Sequence, residues 1–270
     1  MLHSLTILFG GLVGFALGLT GGGGSLLAVP LLVYGLSIAP REAFGISLAA
    51  VGATALVGVG PRIWSGQVEL GTGLLFAVAG MLGAPIGTWV ASMIPELALL
   101  TLFAAIMLFV AWKMWQSSAR SELLEPVLPD QNRQASCHRN KDGQLELTSR
   151  CAILLLIVGV ATGIMSGMFG VGGGFIIVPA LVLFSGMSMH KAVGTSLLVI
   201  VLVSISGVAS HIAAGRGISL AVTALFAVGG IVGMALGSRL AKRLPALLLQ
   251  RVFAMGIVAV ALLVASQSLV

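Results

Sequence analysis

Charged residues are scarce in this sequence, in which Asp, Glu, Lys and Arg make up 8% of 270 residues. A soluble domain contains roughly 25% charged residues. Hydrophobic residues reach 58%, and the mean hydropathy is +1.13. Several uncharged runs, such as 70–90 and 220–236, approach the ~20 residues that a spanning helix needs. The composition excludes a soluble globular domain and predicts an all-α, polytopic membrane helix bundle.

Acidic residues are absent from the second half, since all eight Asp and Glu lie at or before Glu146. A cation site or proton relay built on matching carboxylates in the two halves is therefore disfavoured. Near the first bundle, Glu42, Glu69 and Glu96 are expected at membrane interfaces. A proton relay through Glu42 or Glu69 stays open as a weaker hypothesis.

The sequence also lacks motifs for catalysis and for nucleic-acid binding. It contains no Walker motif, nucleophile elbow or His/Cys metal cluster. Cys137 and Cys151 have neither metal-ligand nor redox spacing. The net charge is +6, but the basic residues lie between apolar segments and form no stripe. We therefore predict no enzyme activity, no cofactor, no metal and no nucleic-acid partner.

A polar linker divides the chain into two similar parts. We predict a first transmembrane repeat over 1–116, a polar cytoplasmic linker over 117–149 and a second transmembrane repeat over 150–270. The segment 5–19 has no preceding Lys or Arg and no following cleavage site, so it is interpreted as a retained helix. Each part has five apolar segments: 4–19, 24–35, 42–60, 70–91 and 97–115, then 151–168, 174–185, 191–213, 219–240 and 246–265.

The two parts are internal repeats of each other. One register, kept over about eighty residues with one insertion, aligns glycines, prolines and serines together. It pairs Gly18 with Gly167, Gly21 with Gly170, Pro30 with Pro179, Ser47 with Ser196, Arg62 with His211, and Gly80, Gly83 and Gly87 with Gly230, Gly233 and Gly237.

The distribution of Lys and Arg predicts the orientation of the repeats. If the linker is cytoplasmic and all segments cross, only Arg41 and Arg216 of the 14 basic residues lie outside, as the positive-inside rule favours. This predicts two inverted repeats with both termini outside. The second segment of each half spans only ~20 Å, so whether it crosses the ~30 Å hydrocarbon core or re-enters stays open.

Two glycine-rich stretches interrupt the apolar segments, "GLTGGGGSLLAVPLL" at 18–32 and "GMFGVGGGFIIVPAL" at 167–181. A helix break inside lipid belongs where it is buried or lines a wet cavity. The helix starts near Ser25 and Gly174 then offer free N–H groups to an anion. We predict broken or re-entrant hairpins here. Close helix packing is the alternative for these runs and the favoured interpretation for Gly80, Gly83 and Gly87.

Main-chain N–H groups and hydroxyls around the two breaks form the predicted substrate site. For Ser47, Thr195 and Ser196 the alternative is hydrogen bonding to carbonyls of their own helix. Arg62 and His211 are candidates for an ionisable gate, with an interfacial role as the alternative. The predicted substrate-binding residues are Thr20, Gly22, Gly23, Gly24, Ser25, Ser47, Gly172, Gly173, Gly174, Thr195 and Ser196.

The doubled motif, "GFALGLTGGGGSLLAVPLLV…AFGISL" and "GIMSGMFGVGGGFIIVPALV…AVGTSLLVI", resembles the sulfite exporter TauE/SafE family. The resemblance covers both halves and implies a secondary transporter of small sulfur-containing anions, such as sulfite, thiosulfate or organosulfonates, working by alternating access in the bacterial inner membrane. A coupling proton or cation, the transport direction and the oligomeric state are left open. The alternative is a membrane-embedded accessory or assembly factor that moves no solute and docks a partner through the linker.

Overall fold

A computed structural model of the chain describes residues 2–106, 149–185, 187–215 and 217–241. No β-strand occurs within these ranges. Most of the predicted linker, the end of the fifth apolar segment and the last predicted segment, 246–265, lie outside the described residues. The docking role considered for the linker therefore has no structural observation attached to it.

The described residues form nine helices, and their bounds match the predicted apolar segments to within four residues, apart from the end of the fifth segment, which lies outside the described residues. α3 extends past the predicted end at Gly60 to Trp64, which places Arg62 inside its last turn. The helices are α1 (Leu2–Thr20), α2 (Ser25–Pro30, continued in π-helical geometry over Leu31–Gly35), α3 (Pro40–Trp64), α4 (Leu70–Met93), α5 (Glu96–Ile106), α6 (Ser149–Phe169), α7 (Gly174–Ser185), α8 (Met189–Ala213) and α9 (Leu220–Ala241).

Six of these helices, α1, α3, α4, α6, α8 and α9, are long and apolar enough to cross a membrane. The other apolar helices are shorter: α7 has 12 residues and therefore spans only ~18 Å. The prediction of an all-helical, multi-pass membrane protein is confirmed.

Glycines bring the outer helices into main-chain contact in two pairs, α1 with α9 and α4 with α6. Gly14 lies against Gly230, and Gly163 lies against Gly80. Along α1, Gly10, Gly14 and Gly18 meet successively later residues of α9, so these two helices are parallel; α4 and α6 are parallel by the same criterion. The close-packing role predicted for Gly80, Gly83 and Gly87 is confirmed.

The central pair, α3 and α8, runs antiparallel. Gly45 of α3 lies beside His211 of α8, while Gly52 of α3 lies beside Ser204. These helices contribute many of the fully buried side chains, including Phe44 of α3. Among the helices long enough to span a membrane, these two have the largest buried share, so they form the middle of the bundle.

We predict that Gly163→Ala destabilises the protein and that Gly60→Ala does not. A methyl group on Gly163 would lie 2.7 Å from the Cα of Gly80, whereas nothing lies within 4 Å of one on Gly60. The first change forces the helices apart at a cost of about 1–3 kcal/mol, while the second gains up to ~1 kcal/mol from helix propensity. Thermal unfolding of purified protein in detergent measures the difference. Equal melting temperatures for the two variants would contradict this packing.

Candidate functional site

The two glycine-rich breaks meet inside the bundle. Gly22, between α1 and α2, lies directly against Gly174 at the start of α7. A methyl group on Gly174 would come within 2.6 Å of the Cα of Gly22. The two main chains are therefore in contact, with no room for a side chain between them.

The central helices cover both breaks in the same way. Gly21 lies against Val193 of α8, and its counterpart Gly170 lies against Phe44 of α3, which is the counterpart of Val193. Both glycines are left-handed, with φ of +76° and +66°, a conformation that glycine adopts without strain. Ser196 Oγ also donates a hydrogen bond of 2.6 Å to the carbonyl of Gly21, which ties α8 to the first break.

The hydroxyls of the first break bond to its own main chain. Thr20 Oγ1 accepts the N–H of Gly23 at 3.0 Å and donates to the carbonyl of Ala16 at 2.8 Å. Ser25 Oγ donates to the carbonyl of Gly22 at 2.7 Å. A hydroxyl has a single proton to donate, so both are committed in this conformation. Thr20 and Ser25, which were predicted to bind substrate, therefore hold the main chain of the first break in this conformation.

The second break has a different main-chain conformation. Gly172 and Gly173 both have φ of +67°, whereas Gly24, the counterpart of Gly173, has φ of −60°. Among the main-chain hydrogen bonds outside the helices of the described residues, none is donated by the N–H of Gly172 or Gly173, and the same holds for Gly22 and Gly24 at the first break. Gly172 and Gly173 precede α7, whose first turn includes the bond from Ile176 N–H to the carbonyl of Gly173 at 3.0 Å. Free N–H groups at a helix start favour an anion.

Three buried serines next to the second break have no hydrogen-bond partner among the described residues: Ser47, Ser166 and Ser204 are 0%, 1% and 2% exposed. A side-chain carbon on Gly173 would lie 3.6 Å from Ser166 Cβ, and one on Gly172 would lie 3.8 Å from Ser204 Oγ. Ser47 was predicted as a site residue from the sequence.

Ser166 and Ser204 were not predicted, because the repeat gives no signal for them. Their counterparts in the first half are Leu17 and Ala55. The available signal was helical spacing: Ser166 lies four residues before Gly170, and Ser204 lies eight residues after Ser196, which places each on the face of its helix toward a break.

Thr195 faces α4. Its Oγ1 accepts the N–H of Glu69 at 3.0 Å, and its methyl group lies beside Gly73. The Glu69 carboxylate contacts Lys191 Nζ at 3.6 Å and accepts a 3.3 Å hydrogen bond from Thr72. These contacts account for Glu69 without a proton relay.

Arg62 and His211, the repeat partners predicted as a gate, lie at opposite ends of the antiparallel pair. The guanidinium of Arg62 donates to the carbonyls of Gly18 and Val193 at 3.2 and 3.3 Å, beside the first break. His211 is fully buried, with Nδ1 3.3 Å from the carbonyl of Gly207, and its ring lies next to Gly45. Arg62 therefore lies next to the part of α8 that covers the first break, and His211 lies next to the part of α3 that covers the second break.

A surface cavity of about 270 Å³ lies elsewhere, between the ends of α4 and α8. It contains none of the predicted site residues, and most of its lining is apolar. Its lining residues are Pro85, Thr88, Trp89, Ser92, Ser210, Ala213 and Ala214.

Comparison with known proteins agrees with this architecture. The family model described as "Sulfite exporter TauE/SafE" matches residues 6–264. A "Probable membrane transporter protein" of Xylella fastidiosa (strain 9a5c) is 37% identical over 263 residues, which cover 96% of this chain and 94% of that protein. The "Probable membrane transporter protein YdhB" of Bacillus subtilis (strain 168) is 31% identical over 196 residues, 73% of each chain. No solved structure gives a significant match. The chain therefore belongs to the sulfite exporter TauE/SafE family of membrane transporters.

Proposed function

We propose that this protein is a secondary transporter that moves small sulfur-containing anions, such as sulfite, thiosulfate or organosulfonates, across the cell inner membrane by alternating access. The observation that carries the proposal is the meeting of two helix breaks at Gly22 and Gly174. Helix starts placed together in the interior offer N–H groups and positive dipole ends to an anion. Discontinuous helices of this kind form the substrate sites of many secondary transporters.

We propose further that the two halves, 1–116 and 150–270, are inverted repeats joined by the cytoplasmic linker 117–149. Three features of the packing support this. The equivalent helices α3 and α8 are antiparallel. The α1–α9 pair is equivalent to the α6–α4 pair, and both are parallel. Exchanging the halves therefore leaves the pattern of helix neighbours unchanged.

The positions of the basic residues support a topology with both termini outside. Arg62 at the end of α3, Lys191 at the start of α8 and Arg239 at the end of α9 share one end of the bundle. Arg41, at the start of α3, lies at the other end. The more basic end corresponds to the cytoplasmic side under the positive-inside rule.

The polar contacts at this basic end join the two halves. Arg62 of α3 bonds to the carbonyl of Val193 in α8, and Lys191 of α8 pairs with Glu69 next to α4. At the opposite end, Arg41 pairs with Glu96 at 3.4 Å within the first half. We propose that Arg62 and its neighbours hold the cytoplasmic end closed in this conformation and that His211 has the equivalent position at the other end.

The proposed ligands are main-chain N–H groups of Gly22–Gly24 and Gly172–Gly174 together with the hydroxyl of Ser47, and the N–H of Gly23 would have to leave Thr20 Oγ1 in order to bind the anion. Thr20, Ser25 and Ser196 donate to main-chain carbonyls in this conformation, so we assign them to holding the first break in shape. Thr195 lies at the contact between α8 and α4, so its hydrogen bond with the N–H of Glu69 would lengthen or break if one half moved relative to the other.

We predict saturable flux of sulfite, thiosulfate or methanesulfonate in proteoliposomes that contain the purified protein. Each anion is supplied on one side, and its appearance on the other side is measured over time. Protein-free liposomes measure leakage, and unfolding curves before and after reconstitution establish that the protein is intact. If the intact protein neither binds nor moves any of the three anions, the proposed substrate class is wrong.

We predict that Gly173→Ala lowers this flux about tenfold or more, whereas Gly217→Ala leaves it within about twofold. At Gly173, φ is +67° and a methyl group would lie 3.2 Å from the carbonyl of Thr162, so alanine is strained there by ~1–2 kcal/mol. At Gly217 nothing lies within 4 Å. Initial flux rates, normalised to the amount of folded protein, are compared between the two variants and the wild type. Equal rates for both variants would remove the second break from the transport path.

We predict that Arg62→Met loosens the cytoplasmic end and that Arg62→Lys does so less. Methionine cannot donate to the carbonyls of Gly18 and Val193, whereas lysine retains one donor group. Hydrogen exchange over residues 189–196 should rise by about tenfold in the methionine variant, because an unsatisfied buried carbonyl costs ~1–3 kcal/mol. Arg41→Met is the matched control, since its contacts lie at the opposite end. Unchanged exchange in Arg62→Met would refute the closing role.

A further inference from the structure

We infer that, of the main-chain ligands proposed above, only those of the second break hold the anion, that Ser47, Ser166 and Ser204 are its hydroxyl ligands, and that the N–H groups of Gly22–Gly24 do not bind it. This inference rests on the proposed function and deepens it, because it adds Ser166 and Ser204 to the site and makes the two halves unequal. Its basis is the convergence of three unused hydroxyl donors on one of two related breaks.

The three hydroxyls lack partners where partners are normally required. Ser47, Ser166 and Ser204 are buried, and their Oγ atoms have no hydrogen bond within the described residues. Buried polar side chains in native proteins nearly always have a partner, and those that lack one require an explanation. Other buried hydroxyls of this bundle, such as those of Thr54 and Thr162, bond to carbonyls of their own helices. The three serines are therefore available to a ligand.

These serines come from three helices and surround the same stretch of main chain. Ser166 of α6 adjoins Gly173, and Ser204 of α8 adjoins Gly172. Ser47 of α3 lies three residues after Phe44, which contacts Gly170, and four residues before Val51, which adjoins Gly172. Residues at this spacing share one face of a helix. All three side chains are therefore placed around Gly170–Gly173.

The character of this cluster favours an anion over a cation. The N–H groups of Gly172 and Gly173 can only donate, and they stand at the positive end of the 12-residue α7. No Asp or Glu occurs after Glu146 in the sequence, so no carboxylate of the second half competes for these donors. Hydroxyl donors supplied by three different helices suit an anion that has three oxygens on one central atom, such as sulfite or a sulfonate, better than a planar carboxylate.

The first break does not offer the same hydroxyl donors. The counterparts of Ser166 and Ser204 are the apolar Leu17 and Ala55. The counterpart of Ser47 is Ser196, whose Oγ donates to the carbonyl of Gly21. A ligand that binds the Ser196 hydroxyl at the first break would have to displace this existing hydrogen bond. The three serines at the second break make no hydrogen bond that a ligand would have to displace.

The test measures the affinity of purified full-length protein in detergent for sulfite and for methanesulfonate, by titration calorimetry and by ligand-induced thermal shift. Acetate is the two-oxygen comparison for methanesulfonate at equal charge. We expect the double variant Ser166→Ala/Ser204→Ala to raise the Kd for both sulfur oxyanions about tenfold or more, since hydrogen bonds to charged groups are the strong ones. We expect weaker binding of acetate to the wild type, and a smaller change in its Kd in the double variant.

Ser210→Ala is the matched control, because Ser210 lies on the same helix as Ser204 but donates to the carbonyl of Ser206. The Kd of this variant for both sulfur oxyanions should equal that of the wild type.

If the double variant folds and binds with unchanged Kd, the inference is overturned while the proposed function stands. If wild-type protein binds neither anion, the proposed function and the inference both fail. Should the double variant not fold, each single variant is expected to raise Kd severalfold, and unchanged values in both would overturn the inference equally.

Discussion

The contact between Gly22 and Gly174 is the constraint on which the rest of this bundle depends. A helix that breaks inside a bilayer exposes main-chain polar groups, and each one left without a partner in lipid costs several kcal/mol. The protein avoids this cost by placing one break against the other and covering both with α3 and α8. The glycine contacts of α1 with α9 and of α4 with α6 then complete the enclosure, since they let the outer helices approach closely.

The two halves share a scaffold but differ in chemistry. The contact of Gly21 with Val193 is repeated by Gly170 with Phe44, so the covering helices have the same relation to both breaks. The side chains at the breaks are not repeated. Thr20 of the first half is replaced by Phe169, whose ring lies 5.5 Å from that of Phe103 in α5. The contacts of the covering helices are thus alike at the two breaks, although side chains of the breaks differ.

The sequence predicted the helices and the break positions because apolar length and glycine clusters are local signals. It also predicted the contact of Gly80, Gly83 and Gly87 with a neighbouring helix, although it did not identify α6 as that neighbour. It did not reveal Ser166 or Ser204, because their significance depends on which helix faces the second break and on the absence of another partner. Whether Ser47, Thr195 and Ser196 bond to their own helices was open for the same reason, since a hydroxyl has several acceptors within reach.

The parallel packing of α1 on α9 has a consequence for biosynthesis. Leu220, the first residue of α9, follows the end of α1 at Thr20 by 200 residues, which take about 10–40 s to synthesise. During that interval the glycine-lined surface of α1, formed by Gly10, Gly14 and Gly18, exists without the helix that later covers it. α1 is therefore inserted long before α9, the last described helix, and the insertion machinery or lipid has to shield that surface in the meantime.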